Sequence, residues 1–320
     1  MRFIYILIAY LIAPLWIGAL AVRGFRDKTH WRGFSQRFGL GPAVQGRSIW
    51  VHAVSVGEVQ AAVPLIEALL KRFSSIPLVL TTVTPTGRAR AEALFGSRVD
   101  VRYVPIDLPG AVRRFFQRVQ PQLAIILETE IWPNLYHRCG RLGVPLVLAS
   151  ARISPRSVAS YRRLVGLFRE TLSHGIFIAA QSAEDAERFV SIGANPARTH
   201  VVGNIKFDFG YPPDMEARGH ELRGLLGVHR PVWVAGSTHA KEEELLLDAH
   251  ALIRQRFSNA LLVLVPRPPP RFAEVATLLR DRSVPFVTRT SKNSVSSESQ
   301  VYLLDTLGEL PAFYATSPAA

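Results

Sequence analysis

Residues 50–69 read "WVHAVSVGEVQAAVPLIEAL": an apolar β-rich run, a turn at Ser55-Val56-Gly57-Glu58, and a helix-forming run. A strand that passes through a short polar turn into a helix is the repeating unit of an α/β fold. The same grammar recurs along the chain. Strand candidates are "SIWVHAV" (48–54), "PLVLTTV" (77–83), "VDVRYVP" (99–105), "LAIILE" (123–128), "VPLVLAS" (144–150) and "HGIFIAA" (174–180). Helical patterns such as "GAVRRFFQRV" and "AEDAERFVSIG" lie between them. The strands are continuous apolar runs rather than alternating ones, as in a parallel sheet covered by helices on both faces.

Beyond "VVGNIKF", the Pro- and Gly-containing stretch "FDFGYPPDMEARGH" reads as a linker. The rhythm then restarts with "PVWVAGST" (231–238), "LLVLVPR" (261–267), "VPFVTRT" (284–290) and "VYLLDT" (301–306). Two α/β lobes with a ligand cleft between them are the expected architecture, the second lobe looking incomplete.

Ahead of the first lobe, residues 3–22 carry no charged side chain. A helix of about 20 apolar residues suffices to span a hydrocarbon core. Only Arg2 precedes it, whereas Arg23, Arg26, Lys28, Arg32 and Arg37 follow. That asymmetry favours an uncleaved anchor, or a deeply embedded interfacial helix, with the rest of the chain on the cytoplasmic side. The basic run also suits anionic lipid headgroups.

The formal charge of +13 over 320 residues points to an anionic partner. Aromatic residues are not interleaved with the basic ones as stacking would require, so nucleic acid is not expected. The single cysteine, Cys139, excludes an intrachain disulfide framework and a multi-cysteine zinc site, and the scattered histidines show no metal-ligand spacing. There is no GxxxxGK[ST] phosphate loop and no well-spaced GxGxxG, which argues against P-loop and standard dinucleotide enzymes.

Several residues could carry chemistry. Ser55-x-x-Glu58 matches a capping box. Pro64 would then lie inside the helix, where proline costs about 3 kcal/mol. If the regular helix begins near Gln60 instead, Glu58 belongs to a loop at a strand end and is placed to act as a base. In "LAIILETEIWPN", Glu128 and Glu130 emerge at the end of a buried strand. An extended chain would send them to opposite faces, so one is expected in the cleft. Lys206 in "VVGNIKFD" is a candidate cation. In the second lobe, Ser237 and Thr238 of "VAGSTHAKEEE" are caps or phosphate contacts. Arg267 ends a strand where a guanidinium pairs well with phosphate. Asp107, and Asp305 or Thr306 in "DTLGELPAF", read as helix caps.

The ordered set "VHAVSVGEVQAA", "ETEIWPNL", "GNIKFD", "AGSTH" and "DTLGELPAFY" resembles the 3-deoxy-D-manno-octulosonic acid (Kdo) transferase family of Gram-negative bacteria. The resemblance implies a GT-B fold and transfer of Kdo from CMP-Kdo to a lipid A precursor (lipid IVA) in lipopolysaccharide biosynthesis, without metal or cofactor. It implies Glu58 as proton acceptor and Glu128 and Lys206 as transition-state stabilisers. Pro266, Arg267, Leu307, Gly308 and Glu309 would contact CMP. The implied organisation is a membrane anchor (1–22), an acceptor-binding domain (23–207), a linker (208–230) and an incomplete nucleotide-sugar-binding domain (231–320). The implied location is the cytoplasmic side of the inner membrane, with anionic lipids as partners.

Two departures stand out. The family usually reads Pro-Arg-His-Pro-Glu-Arg-Phe where this chain has "PRPPPRF", with Pro268 and Pro270 in place of histidine and glutamate. The family also continues beyond the position of Ala320 with a Gly-Gly-His-Asn-Pro-Leu-Glu-Pro motif of the CMP site, so the 320-residue chain is expected to transfer little or no sugar. The rival expectations are another GT-B nucleotide-sugar enzyme and a non-catalytic, membrane-anchored binder of anionic lipid.

Overall fold

The computed structural model describes residues 1–173, 175–208, 214–267 and 270–316, which form two compact units, Met1–Gly210 and Tyr211–Ala320. Unit one opens with α1 (Arg2–Arg26), which ends four residues beyond the expected anchor. It continues through β1 (Ser48–His52), α2 (Val56–Ala61), α3 (Val63–Arg72), β2 (Leu78–Thr82), α4 (Pro85–Phe95) and β3 (Asp100–Tyr103). Then follow α5 (Pro109–Val119), β4 (Pro121–Leu127), α6 (Pro133–Leu142), β5 (Leu146–Ala151), α7 (Pro155–Arg163) and α8 (Val165–Leu172). It ends with β6 (Phe177–Ala180), α9 (Ala183–Ser191) and β7 (Thr199–Val201).

Among the described residues these seven strands form one parallel sheet in the order β3-β2-β1-β4-β5-β6-β7. The six strand expectations hold. The seventh, β7, escaped the sequence because it is three residues long and partly polar, so it shows neither a run nor a period.

Strand pleating divides the core. Ile49 and Val51 of β1, with Leu78, Leu80, Ile125 and Leu127, pack under α2, α3 and α4 through Val59, Ile66, Ala91 and Phe95. Trp50, Val79, Ala124 and Ile126 face the other way, against Phe115, Phe116, Leu135 and Tyr136 of α5 and α6. Both faces of the central strands are therefore dry, which is why those strands are mostly apolar. Of the polar atoms enclosed there, the Trp50 indole N–H donates to Thr81 Oγ1 at 2.8 Å, whereas the buried His52 Nε2 has no partner.

Unit two comprises α10 (Met215–Leu226), β8 (Val232–Thr238), α11 (Glu242–Arg256), β9 (Leu261–Pro266), α12 (Arg271–Asp281), β10 (Phe286–Thr288), β11 (Val301–Leu303) and α13 (Leu310–Tyr314). Its parallel sheet runs β10-β11-β9-β8. The stretch expected to be a linker, 208–230, contains α10. Met215, Leu222 and Leu226 recur on one side of that helix and are buried in the unit's core with Val263 and Phe313. Gly and Pro at 210–213 suggested a longer break than the chain makes. Pro268 lies outside the described residues. Pro270 immediately precedes α12, at φ −54°, a dihedral that proline already fixes.

Helix α1 is long and apolar enough to cross a membrane by length and composition. Its N-terminal end is nonetheless tied to the sheet domain. Arg2 Nε donates to Asn134 Oδ1 at 3.2 Å, and the Tyr5 hydroxyl donates to Asp107 Oδ2 at 2.8 Å. Phe3, Leu7, Leu11 and Leu15, spaced by four, belong to a broad exposed face that also includes Ile4, Ile8, Tyr10 and Ile12. Asp107 does cap a helix, but not the one that follows it. Its carboxylate accepts the backbone N–H groups of Asn134 and Leu135, both at 2.9 Å, at the start of α6. Leu108 occupies the cap position of α5.

Asp107→Ala strands two amide donors at a buried helix start and should lower the stability of unit one by about 1–3 kcal/mol. Tyr5→Phe loses one hydrogen bond, worth about 1 kcal/mol. Chemical denaturation of the two variants checks both the size and the order of the effects.

Candidate functional site

The strand order reverses between β1 and β4: β2 and β3 extend to one side, β5 to β7 to the other. Open parallel sheets bind ligands outside the carboxyl ends of their strands at such a reversal. The segments that leave β1 and β4 here carry Glu58 on one side and Glu128 and Glu130 on the other. All three line one hollow of about 290 Å³, with Arg152, Ser157 and Tyr161.

Glu58 sits in α2, a helix of six residues, rather than in a loop. Pro64 causes no conflict, because Val63 starts a separate helix and Pro64 falls in its first turn. Ser55 is the N-cap residue but makes no side-chain cap bond to the helix. Glu58 reaches back instead: Oε2 accepts the Val54 N–H at 2.9 Å, and Oε1 accepts the Ser55 hydroxyl at 3.2 Å. That is half of a capping box, displaced by one residue. Burial raises the pKa of Glu58 above the ordinary carboxylate value. The Val54 N–H opposes the shift, while the charges of Glu128 and Glu130 add to it.

Glu128 and Glu130 enter the same hollow because the chain is not extended there. Strand β4 ends at Leu127, and Glu128 takes a left-handed conformation with φ +57°. The alternation of an extended strand is thereby broken, so the expectation of a single acid in the site is corrected. Left-handed backbone is costly for a non-glycine residue and, when observed, points to function. Glu128 Oε1 accepts from Lys206 Nζ at 2.9 Å. Glu130 Oε2 accepts the Trp132 indole N–H at 2.9 Å. Its pKa is raised, chiefly by burial; Trp132 opposes this and the Glu128 charge adds to it.

Lys206 is aimed by a small polar network. Its backbone N–H donates to Asn204 Oδ1 at 3.0 Å, and Asn204 Nδ2 donates to Gln181 Oε1 at 3.1 Å. Gln181 Nε2 donates to the Ser150 carbonyl at 2.9 Å and to Ser150 Oγ at 3.1 Å. Ser150, at the end of β5, is also left-handed, with φ +52°. Lys206 is thus held through the ends of β5 and β6 against an acid at the end of β4.

Arg152, Ser157, Tyr161, Ser150 and Gln181 were not singled out in the sequence. Position relative to strand ends was the available signal: Ser150 and Arg152 flank the end of β5, and Gln181 directly follows β6. Arg37, counted above among headgroup-facing cations, is buried at 2% exposure. Its guanidinium lies 3.9 Å from the centroid of the Tyr103 ring.

In unit two the segments implied to bind CMP follow three adjacent strands, β8, β9 and β11. Ser237 is left-handed, with φ +60°. Thr238 is buried, and its hydroxyl donates to Glu243 Oε1 at 2.8 Å, which commits that hydroxyl to the fold rather than to a phosphate. Glu243 is in turn held by Arg271 at 2.6 Å. Pro266 ends β9, and the N–H of the exposed Arg267 donates to the Thr238 carbonyl at 2.8 Å. Leu307 is exposed and Gly308 has φ +84°. Glu309 pairs with Arg289 at 2.8 Å beside a hollow of about 460 Å³ that Arg218 also lines. Neither Asp305 nor Thr306 caps α13. Asp305 accepts from the Thr290 N–H at 2.9 Å, the Thr306 hydroxyl donates to Glu309, and Glu309 takes the cap position.

The raised pKa of Glu58 makes a stability prediction. Between its unfolded value, about 4.3, and its higher folded value, the folded chain keeps a proton that the unfolded chain releases. The contribution of this group is therefore full below the unfolded value and is lost as pH rises through the folded one. Glu58→Gln keeps a side-chain oxygen for the Val54 N–H and removes the titration. Its stability relative to the parent should rise with pH across that window and then level off, as read from denaturation curves at stepped pH.

The family model described as 3-Deoxy-D-manno-octulosonic-acid transferase (kdotransferase) matches residues 32–209. The 3-deoxy-D-manno-octulosonic acid transferase of Haemophilus influenzae is 37% identical, over all of this chain and 75% of its own length. That of Bordetella pertussis is 37% identical, over all of this chain and 76% of its own length. In structure, the UDP-GlcNAc 2-epimerase of Neisseria meningitidis bound to UDP-GlcNAc superposes with a TM-score of 0.54. It covers 84% of this chain and 74% of its own, at 12% identity, a likeness of fold that agrees with the expected GT-B type. With the family model spanning more than half of the sequence and such relatives aligned along all of it, the chain belongs to the 3-deoxy-D-manno-octulosonic acid transferase family of glycosyltransferases.

Proposed function

We propose that the reaction this chain serves is the transfer of Kdo from CMP-Kdo to a hydroxyl of a lipid A precursor, with Glu58 as the general base. The observation that carries this reading is the meeting of Glu58 with the Glu128–Lys206 pair in one hollow at the strand-order reversal. The acceptor hydroxyl must lose a proton as its oxygen bonds to the anomeric carbon of Kdo. A carboxylate with a raised pKa is the better proton acceptor, because its affinity for the proton lies closer to working pH. Burial supplies that shift for Glu58.

The bond from the anomeric carbon to the phosphate oxygen breaks, and CMP leaves with the electron pair. Positive charge grows on the sugar meanwhile, and the Glu128 carboxylate lies where it offsets that charge. Lys206 keeps Glu128 oriented and contributes a cation for the departing anion. In unit two, Pro266, Arg267 and the 307–309 segment are the proposed nucleotide contacts, with Ser237 as a phosphate contact. Helix α1, with Arg23, Lys28 and the other exposed basic residues after it, is proposed to hold the enzyme on the cytoplasmic face of the inner membrane beside anionic lipid and its acceptor.

In a version extended to the length of its relatives, Glu58→Gln should lower the rate of Kdo transfer from CMP-Kdo to a lipid A precursor by about 10²–10⁴-fold, with stability at neutral pH no lower than the parent's. Full activity in that variant would refute the base assignment. Asn204→Ala should reduce kcat more than it raises KM, because it loosens Lys206 without touching the acceptor. Steady-state kinetics separate the two effects.

A further inference from the structure

The carboxyl ends of β1 to β4 also border a second space, roofed by α1. It is a cavity of about 380 Å³. Tyr5, Ala9, Ile12, Ala13 and Trp16 line it from the helix, and Val54, Val83, Val104, Ile106 and Leu108 from the strand ends. Its volume falls within the range of small-molecule sites, about 300–1,000 Å³. Water needs two to four polar partners to settle in a cavity, and this lining is overwhelmingly apolar.

The polar groups at its edge are informative. Asp107 is already committed to Tyr5, Asn134 and Leu135. Arg37 donates through Nη2 to the Val83 carbonyl at 2.8 Å and faces the Tyr103 ring, but its buried Nε has no partner. That Nε is enclosed by protein, so the cavity offers an apolar surface rather than a hydrogen-bond donor to whatever fills it.

The cavity adjoins the acid site. Glu130 lines both spaces, and Val54, another lining residue, donates its N–H to Glu58. A molecule with its reacting hydroxyl at Glu58 would therefore meet this cavity with the part next to that hydroxyl.

We infer that the cavity under α1 is a binding site for one acyl chain of the glycosyl acceptor. The inference rests on the acceptor being an acylated lipid, as proposed above. It gives α1 two faces with two tasks. Phe3, Leu7, Leu11 and Leu15 meet the membrane, while Ala9 and Ala13 leave room for a chain between the helix and the sheet domain. An acyl chain taken from the bilayer along α1 would reach the reacting centre without crossing water.

The test uses the full chain in detergent and a lipid A precursor carrying a diazirine in one acyl chain, photolysed without CMP-Kdo. Labels located by mass spectrometry are expected on Val104 and Ile106, which line the cavity from the sheet domain. Labels confined to Leu7, Leu11 and Leu15 would overturn the site. Ala13→Trp fills the cavity and should cut labelling at least tenfold, whereas Leu11→Trp on the outer stripe should not; equal labelling in the two variants would overturn it. On the unaltered chain, unlabelled acylated precursor should displace the probe. The deacylated precursor and phosphatidylglycerol should do so at least tenfold less well, and equal displacement by phosphatidylglycerol would make this a general lipid site and refute the acceptor assignment. Cavity labelling together with no Kdo transfer by a version extended to the length of its relatives would count against the proposed reaction and leave the acyl site standing.

Discussion

Placing β1 beside β4, with β2 and β3 on one flank and β5 to β7 on the other, is the constraint on which the site depends. Chains that leave two parallel neighbours toward opposite flanks cannot close over the gap between them. The gap opens at the carboxyl ends, where helix N-termini also point. Everything chemically interesting in unit one is on this side of the sheet. Glu58 follows β1, Glu128 and Glu130 follow β4, Ser150 and Arg152 flank the end of β5, and Lys206 is held through Gln181 after β6.

The sheet could be read from the sequence because parallel strands buried on both faces are apolar at every position. No other common element combines that pattern with strand length and bounding turns. Ten of the eleven strands among the described residues were legible as apolar runs, although β3 carries Asp100 and Arg102 and β10 is only half-buried. The eleventh, β7, was not, since three residues at a sheet edge need bury little. Helix α10 was hidden for another reason. Its apolar positions are few, and the proline and glycine ahead of it mark the start of an element as readily as they mark a linker.

Side chains at the site were half legible. Position after a strand was enough to nominate Glu58, Glu128 and Lys206. The backbone between strand and side chain was not legible, because a left-handed residue other than glycine leaves no local signature. Glu128 and Ser150 are such residues, and Ser237 is the corresponding one in unit two. Each turns the chain sharply as it leaves a strand. At Glu128 that turn brings two acids into one hollow where an extended chain would have separated them. Thr238 failed in the opposite way: its position suggested a phosphate, but its hydroxyl belongs to a buried pair of Glu243 and Arg271 that joins α11 to α12.

The choice between cap and base for Glu58 turns out to be a false opposition. Its carboxylate does hold the Val54 N–H and the Ser55 hydroxyl, which fixes the rotamer and points the group from a short helix into the hollow. Those bonds pull its pKa down, but burial and the two neighbouring acids outweigh them. A freely solvated glutamate would be a weaker base and a poorly aimed one. Under the proposed reaction, protonation weakens the bond to Val54 and also relieves the repulsion from Glu128 and Glu130. Structural tethering and proton affinity therefore act on the same two oxygens, and the second helix at Val63 leaves α2 short enough for both.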